Sequence, residues 1–446
     1  MKKGEETLER EIKEIAEKFL EIAEKKEIKI ISHFDTDGIT SASIMIKTLK
    51  KMDKKFSLTI VKSLNEQFIK KLPKDKLILF LDLASGSLSH IKNSDLEDVF
   101  IIDHHEINSA IMPKNVKMIN PQLSNKQKIS GSGLTYLFCK EIEKDTKELA
   151  KLAVLGMIGD SLEKEIGFLN HGILEESSIQ KKRGLLIYPS TRPVNRVLEY
   201  SSNPYIPEVT GNFKGVLELL REAGLTPEKG KYKSLIELDK EEMEKLTTAI
   251  LLRNPKIKNK DLIGDIFLIK MFNKLEDARD LSAIINACSR SGKPELAVQY
   301  CLEIPSAKRS AELTHIKYKQ SLITGLNYVS EIEKIKGNGF VIINTKDQIK
   351  DTMVGTIASI ISNSSMYEEG TIIAAMAYSD DKIKVSARIA GKNGRNIRKI
   401  LNSVIETIGG EIGGHEHAAG CIINQNKEEE FINLLKKNLE VELIKI

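Results

Sequence analysis

The chain has 446 residues, too many for one ordinary hydrophobic core, so two or three domains are expected. Its 68 Lys+Arg against 63 Asp+Glu leave a net charge of +5, compatible with a polyanion partner but not an argument for one. No run of 18 uncharged apolar residues offers a membrane span, and the start Met1-Lys2-Lys3-Gly4-Glu5-Glu6 does not read as a leader. Cys139, Cys288, Cys301 and Cys421 are scattered with no CxxC pair, which argues against a disulfide framework or structural zinc and fits buried thiols in a reducing, cytoplasmic setting.

Residues 5–25 place Leu8, Ile12, Ile15, Phe19 and Ile22 at helical spacing. Ile28-Lys29-Ile30-Ile31 then reads as a buried strand feeding a polar loop, and Ile39 to Met52 as a helix. Two further apolar runs, Leu77-Ile78-Leu79-Phe80-Leu81 and Val99-Phe100-Ile101-Ile102, end at Asp82 and Asp103. Strands that are apolar on both faces and alternate with helices predict an α/β fold with a parallel sheet, whose ligands gather at the carboxyl ends of the strands. From about 176 to 330 helical patterns dominate, broken by Pro189, Pro193, Pro204, Pro207, Pro227, Pro255, Pro294 and Pro305, which predicts a helical insert followed by a long connector from Ala307 to Lys334. Strands return at Phe340–Ile343, Thr371–Ala375 and Ile383–Ala387, predicting a smaller C-terminal α/β domain that closes with the glycine-rich stretch Gly409 to Gly420.

The chemistry concentrates at the predicted strand ends. Ser32-His33-Phe34-Asp35-Thr36-Asp37-Gly38 sends an imidazole and two carboxylates from one strand, and alternate positions of an extended segment point the same way. Such groups repel and desolvate one another unless cations bind them, although the segment taken alone is equally an Asx-rich turn capping a helix. Asp82, alone, reads as a loop or capping residue, and so does Asp160 after Met157-Ile158-Gly159. Adjacent His104 and His105 behind Asp103 are rarer by chance. Together these positions offer oxygen and imidazole and no thiolate, the ligand mix of Mn²⁺ or Mg²⁺, and enough carboxylate for two ions, one activating water and one stabilising charge on a phosphate. Gly131-Ser132-Gly133 opens a helix and offers N–H groups to an anion, although a plain helix start is the simpler reading.

The order His33-x-Asp35-x-Asp37-Gly38, Asp82, Asp103-His104-His105, Asp160 resembles the four motifs of the DHH phosphoesterase superfamily. Gly413-Gly414-His415-Glu416-His417-Ala418-Ala419-Gly420 is similar to the GGHxxAAG signature of the DHH-associated C-terminal domain, and Ser386-Ala387-Arg388 to its SxR element. The resemblance implies a DHH catalytic domain over 1–305 with its helical insert at about 176–305, a connector helix at 306–336 and a substrate-binding domain at 337–446. It also implies two divalent ions, Mn²⁺ before Mg²⁺: one on Asp35 with His33, a second on Asp37, His104 and Asp160, with Asp82 bridging. His105 would face the scissile phosphate, Asp103 would orient an imidazole, and Ser386, Arg388, Gly413, Gly414 and His415 would hold substrate phosphate.

Within the superfamily the long insert is similar to RecJ-type exonucleases. Asn286-Ala287-Cys288-Ser289-Arg290 resembles their NAxGR element, with Ser289 where glycine is usual, and it follows Asp277-Ala278-Arg279-Asp280 as in archaeal RecJ-like proteins. Pro189-Ser190-Thr191-Arg192-Pro193 and Asn203-Pro204-Tyr205-Ile206-Pro207 resemble the same group. Arg290 would then contact a backbone phosphate, and the runs Lys181-Lys182-Arg183 and Lys392, Arg395, Arg398, Lys399 would follow a strand, though short charge runs are more often solvated faces. The implied activity is exonucleolytic hydrolysis of single-stranded DNA or RNA. The alternatives are a nanoRNA or mononucleotide phosphatase, and a replication scaffold binding the GINS complex or a repair helicase.

Overall fold

Five short apolar runs pair side by side as parallel strands: β1 (Ile28–His33), β2 (Phe56–Val61), β3 (Leu77–Leu81), β4 (Val99–Ile102) and β5 (Val116–Ile119), in the order β2-β1-β3-β4-β5. Every residue of β3 and β4 is buried, as central parallel strands covered on both faces must be. Alternate side chains serve opposite cores. Leu77, Leu79 and Leu81 share one with Phe19, Ile39, Phe138 and Leu152, whereas Ile78 and Phe80 meet Ile69, Leu88 and Ile91 in the other. The structure, a computed structural model, describes residues 3–441 apart from 108–111, 125–126, 202–203, 205, 256, 258–261, 365 and 392. Asn203, Tyr205 and Lys392 therefore lie outside the described residues.

The strand order fixes where a ligand sits. The chain steps outward from β1 to β2 and returns to β3 on the other side of β1, so the loops after β1 and β3 leave in opposite directions. In open α/β sheets that reversal opens a crevice beyond the carboxyl ends of the strands. His33, Asp82 and Asp103 all stand there, at or just beyond the ends of β1, β3 and β4.

Contacts divide the chain into two compact units, one formed by Met1–Gly184 with Asp265–His315 and the other by Leu185–Gly264 with Ile316–Ile446. The first contains the parallel sheet, and its helices Ala278–Arg290 and Pro294–Cys301 pack on the helices Thr36–Lys51 and Ala150–Gly159. The segment expected to be an insert of helices also supplies strands. β6 (Gln180–Leu185), β7 (Ile263–Met271) and β8 (Lys274–Asp277) form a three-stranded sheet in the order β6-β7-β8. In the second unit, Leu185, Val197, Leu219, Leu246 and Ile250 centre one core around the helices Val194–Glu199, Phe213–Glu222 and Lys240–Arg253.

The other part of the second unit is a six-stranded mixed sheet. Its strands are β9 (Ile335–Gly337), β10 (Phe340–Asn344), β11 (Ile372–Ser379), β12 (Lys382–Ile389), β13 (Glu411–His415) and β14 (Ala418–Asn424), in the order β13-β14-β12-β11-β10-β9. Only β10 and β11 run parallel. The helices Ile397–Ile408 and Glu428–Val441 bury Val404, Phe431 and Leu435 against it. A helix over Pro305–Glu331 supplies the expected connector. No helix among the described residues is long and apolar enough to cross a membrane.

All four cysteines are free and buried, and burial pushes each thiol up to about 12. The thiolate is the reactive form, so at pH 8 a thiol reagent is expected to react about a thousandfold more slowly with the folded chain than with the denatured one. Timed labelling with an absorbing disulfide reagent checks this. A fast-reacting thiol in the folded chain would contradict it.

Candidate metal centre

The loop after β1 is held from several sides. Asp35 caps the helix Thr36–Lys51, its Oδ1 accepting from the Gly38 N–H at 3.1 Å, which leaves Oδ2 directed 3.0 Å from His33 Nδ1. The Ser32 hydroxyl lies 2.7 Å from the Gly38 carbonyl and 3.2 Å from that of Leu81, tying the β1 loop to the end of β3. Both oxygens of Asp37 accept backbone N–H bonds from the start of the helix Gly131–Ile142: Oδ2 from Gly131 at 2.6 Å and Oδ1 from Ser132 at 2.9 Å. The glycine-serine helix start does bind an anion, and the anion is a carboxylate of the same chain.

Close packing leaves no room for a side chain at two glycines beside the cluster. A Cβ on Gly131 would lie 2.8 Å from Asp82 Cβ, and one on Gly156 would overlap Ser132 Oγ and Asp37 Oδ1. These glycines make room for two carboxylates, a role the sequence patterns did not reveal.

Asp82 has φ +59°, in the left-handed region that Asp tolerates better than most residues but still at a cost of about 1 kcal/mol. Its N–H donates to the Ile102 carbonyl at 2.8 Å, which fixes the turn beside β4. The carboxylate is 1 % exposed, and among the described residues neither oxygen accepts a well-formed hydrogen bond. His104 Nε2 stands 3.3 Å from Asp82 Oδ1, 3.3 Å from Asp160 Oδ2 and 3.8 Å from Asp37 Oδ2, while His33 Nδ1 stands 3.6 Å from Asp82 Oδ2. The ligand atoms gather into three overlapping groups, His33 with Asp35 and Asp82, Asp37 with His104 and Asp160, and Asp82 with Asp103, His104 and His105.

Electrostatics show what such a cluster lacks. Burial, then the charges of Asp37 and Asp35, push the Asp82 carboxyl well above the usual carboxylate range. Burial and the charges of Asp37 and Asp82 do the same to Asp160. Burial works against protonation of His33, but Asp35 and Asp82 outweigh it and hold the imidazole well above its ordinary value. Unpartnered buried oxygens, mutual repulsion and a donor set of carboxylate and imidazole without thiolate fit divalent cations.

Asp103 is differently employed. Its Oδ1 accepts from the N–H groups of His104 at 2.8 Å and His105 at 3.3 Å and lies 2.6 Å from His105 Nδ1, while Oδ2 accepts from the Ser85 N–H at 2.9 Å. Burial alone would raise this carboxyl, but the His105 bond and charge outweigh it and hold it below the usual range. The same bond raises His105 despite burial. Asn120, fully buried, donates to the His105 carbonyl and to Ser85 Oγ, each at 2.9 Å, and completes the support. Asp103→Asn keeps the shape but replaces an acceptor oxygen with a donor nitrogen. Mn²⁺ affinity or turnover is therefore expected to fall about 10–100-fold, read by calorimetry and steady-state rates. Unchanged values would detach His105 from Asp103.

Of the remaining expected residues, Arg290 lies in the last turn of the helix Ala278–Arg290, in the same unit as the cluster. Ser386, Arg388, Gly413, Gly414 and His415 lie together on the six-stranded sheet of the other unit, where cross-strand register aligns Arg388, Ala418 and His415, and likewise Ser386, Gly420 and Gly413. Arg388 Nε donates to Ser359 Oγ at 3.0 Å, and Gly414 at φ +112° is a position for glycine. The expected basic tracks are partly used inside the fold. Arg395 donates to the Leu439 carbonyl, and Lys181 and Arg183 pair with Asp265.

Comparison with known proteins gives three domain matches: the DHH family N-terminal domain over residues 27–157, the DHH-CID domain over 187–259 and the DHHA1 domain over 338–441. Among curated relatives, an uncharacterized protein of Methanocaldococcus jannaschii is 29% identical over 422 residues, covering 91% of each chain. A Bacillus subtilis prophage protein named as a single-strand DNA-specific exonuclease is 29% identical over 158 residues, 31% of this chain and 27% of its own. Among solved structures, RecJ of Thermus thermophilus in complex with Mn²⁺ matches 96% of the chain with TM-score 0.61 and 16% identity. The chain spans about half of that protein, 54% of its length. CDC45 of Entamoeba histolytica matches 96% of this chain and 99% of its own with TM-score 0.68 and 12% identity.

Proposed function

Because this chain belongs to the DHH phosphoesterase superfamily and has a RecJ-like fold, we propose that it is a metal-dependent exonuclease that hydrolyses single-stranded DNA or RNA. The observation that carries the reading is the buried Asp82 carboxylate standing between two ligand groups. His33 and Asp35 would hold one divalent ion, Asp37, His104 and Asp160 a second, and Asp82 would bridge them. Mn²⁺ is favoured over Mg²⁺ by the imidazole content, while the T. thermophilus neighbour is matched in complex with either ion. When bound, two such ions supply a nucleophile from water at neutral pH and offset charge on the phosphate.

The chain's own groups do the rest. Asp103 lies against Nδ1 of His105 and favours the imidazolium, and in that form the Nε2–H would donate to a phosphate oxygen. Asp37, fixed by two backbone N–H bonds, and Asp35, fixed by its cap, need no rearrangement to serve as ligands. Ser386, Arg388, His415 and the Gly413-Gly414 backbone would bind a strand's phosphates, and Arg290 another. The chain has no Trp and only 5% aromatic residues, so stacking is limited and weak sequence preference follows. A cytoplasmic location accords with four free, buried thiols.

End-labelled long single strands against dinucleotides, with Mn²⁺ present, test the substrate. Stepwise release from the long strand supports the exonuclease. Cleavage of dinucleotides alone would favour the nanoRNA or mononucleotide phosphatase instead. The likeness to CDC45 favours one further reading, a scaffold that contacts the GINS complex or a helicase. A scaffold without activity would have no need of the ligand set, whereas His33, Asp35, Asp37, Asp82, His104 and Asp160 are all present here, so a partner role would accompany activity rather than replace it. Co-purification with tagged GINS tests it.

A further inference from the structure

We infer that Asn286 and Ser282, on the helix Ala278–Arg290, are positioning residues that clamp the metal loop through Thr36. The inference rests on the metal-centre reading above. Thr36 lies between Asp35 and Asp37, which belong to different ligand groups, and it is 1 % exposed. The first N–H groups of a helix have no partner within it. At the start of the helix Thr36–Lys51 the Gly38 N–H is taken by Asp35, and the Thr36 N–H is taken by Asn286 Oδ1 at 3.1 Å, from a residue 250 positions away in sequence. The Thr36 hydroxyl lies 3.1 Å from the Ser282 carbonyl oxygen and 3.0 Å from Ser282 Oγ. Ser282 and Asn286 are four apart, one above the other on a single helix face.

On its other side Thr36 is walled by Gly159, whose hypothetical Cβ would stand 2.8 Å from Thr36 Cβ, one residue before Asp160. One clamped threonine therefore sets Asp35, Asp37 and the approach of Asp160 together. If the clamp opens, both ligand groups shift at once, and small displacements of ligands lower both affinity and rate. Arg290, four residues beyond Asn286, is expected to act on the substrate instead. The two residues thus predict different kinetic signatures from the same helix.

Calorimetric titration with Mn²⁺ alone, on the full chain without nucleic acid, separates the possibilities. Asn286→Leu is expected to weaken Mn²⁺ binding about tenfold or more, with kcat lowered and KM for the strand unchanged. Asn286→Asp recovers most of the loss, since its carboxylate accepts the same N–H bond. Ser282→Ala, which keeps the carbonyl contact, moves affinity in the same direction by less, and this variant decides the matter if circular dichroism finds Asn286→Leu unfolded. Wild-type Mn²⁺ affinity in folded Asn286→Leu and in Ser282→Ala, or a change in KM alone, overturns the clamp. A wild-type chain that binds no Mn²⁺ overturns the metal-centre reading, and the clamp with it.

Discussion

Asp82→Asn is expected to lose at least about three orders of magnitude in turnover while the metal-free protein becomes no less stable than wild type. The two halves of this expectation share one cause. Asp82 is a buried carboxylate with no well-formed hydrogen bond on either oxygen among the described residues, in a left-handed backbone conformation, beside the charges of Asp37 and Asp35. Such a group opposes folding by about 1–3 kcal/mol unless something positive binds it. Asn keeps the shape, tolerates the backbone angle and cannot ionise. Thermal melts with and without Mn²⁺, beside turnover, read both effects. Wild type should gain stability on adding Mn²⁺, and the variant should lose most of that gain. A variant that is inactive, less stable and still shifted fully by Mn²⁺ would mean that Asp82 is structural.

Gly156→Ala acts on the same centre through sterics rather than charge. A Cβ there would overlap Ser132 Oγ and Asp37 Oδ1 and stand 2.6 Å from Thr40 Oγ1. None of these atoms is free to yield. Ser132 N–H bonds Asp37, and Thr40 Oγ1 donates to the Thr36 carbonyl at 2.8 Å. Overpacking of this kind costs about 1–3 kcal/mol, and moving Asp37 by an ångström is expected to lower turnover about a hundredfold. Urea denaturation and steady-state rates measure the pair. A wild-type midpoint with wild-type turnover would mean that the two helices separate without disturbing Asp37.

The legible part of this chain is the part where local pattern and tertiary role agree. β3 and β4 are continuous apolar runs because both faces are covered, and each is followed directly by an aspartate of the candidate centre. β2 and β5 carry polar residues such as Ser57, Thr59 and Lys117 at the sheet edges, and their weaker patterns did not distinguish them as strands. β7 was absorbed into an expected run of helices because a short apolar stretch fits either period, and β6 and β8, mostly polar or charged, carry too few apolar residues to show a strand pattern.

The candidate ligands were readable because Asp and His at successive strand ends are chemically conspicuous. Their supports were not. Gly131 looked like a plain helix start, and its N–H finds Asp37 only once 94 residues of chain have folded between them. Asn286 stood in a motif that drew attention to Arg290, and its bond to Thr36 is a fact of helix packing. Asn120 and Ser85 carried no local signal at all, although both brace the turn that carries His105.

Electron paramagnetic resonance of the Mn²⁺-loaded chain, with the stoichiometry counted by titration, tests the bridged pair most directly. The arrangement of His33, Asp35, Asp37, Asp82, His104 and Asp160 predicts two Mn²⁺ per chain with an exchange-coupled spectrum, and loss of the coupling in Asp82→Asn. One ion per chain, or two ions giving only the uncoupled six-line signal, would contradict a centre joined through Asp82.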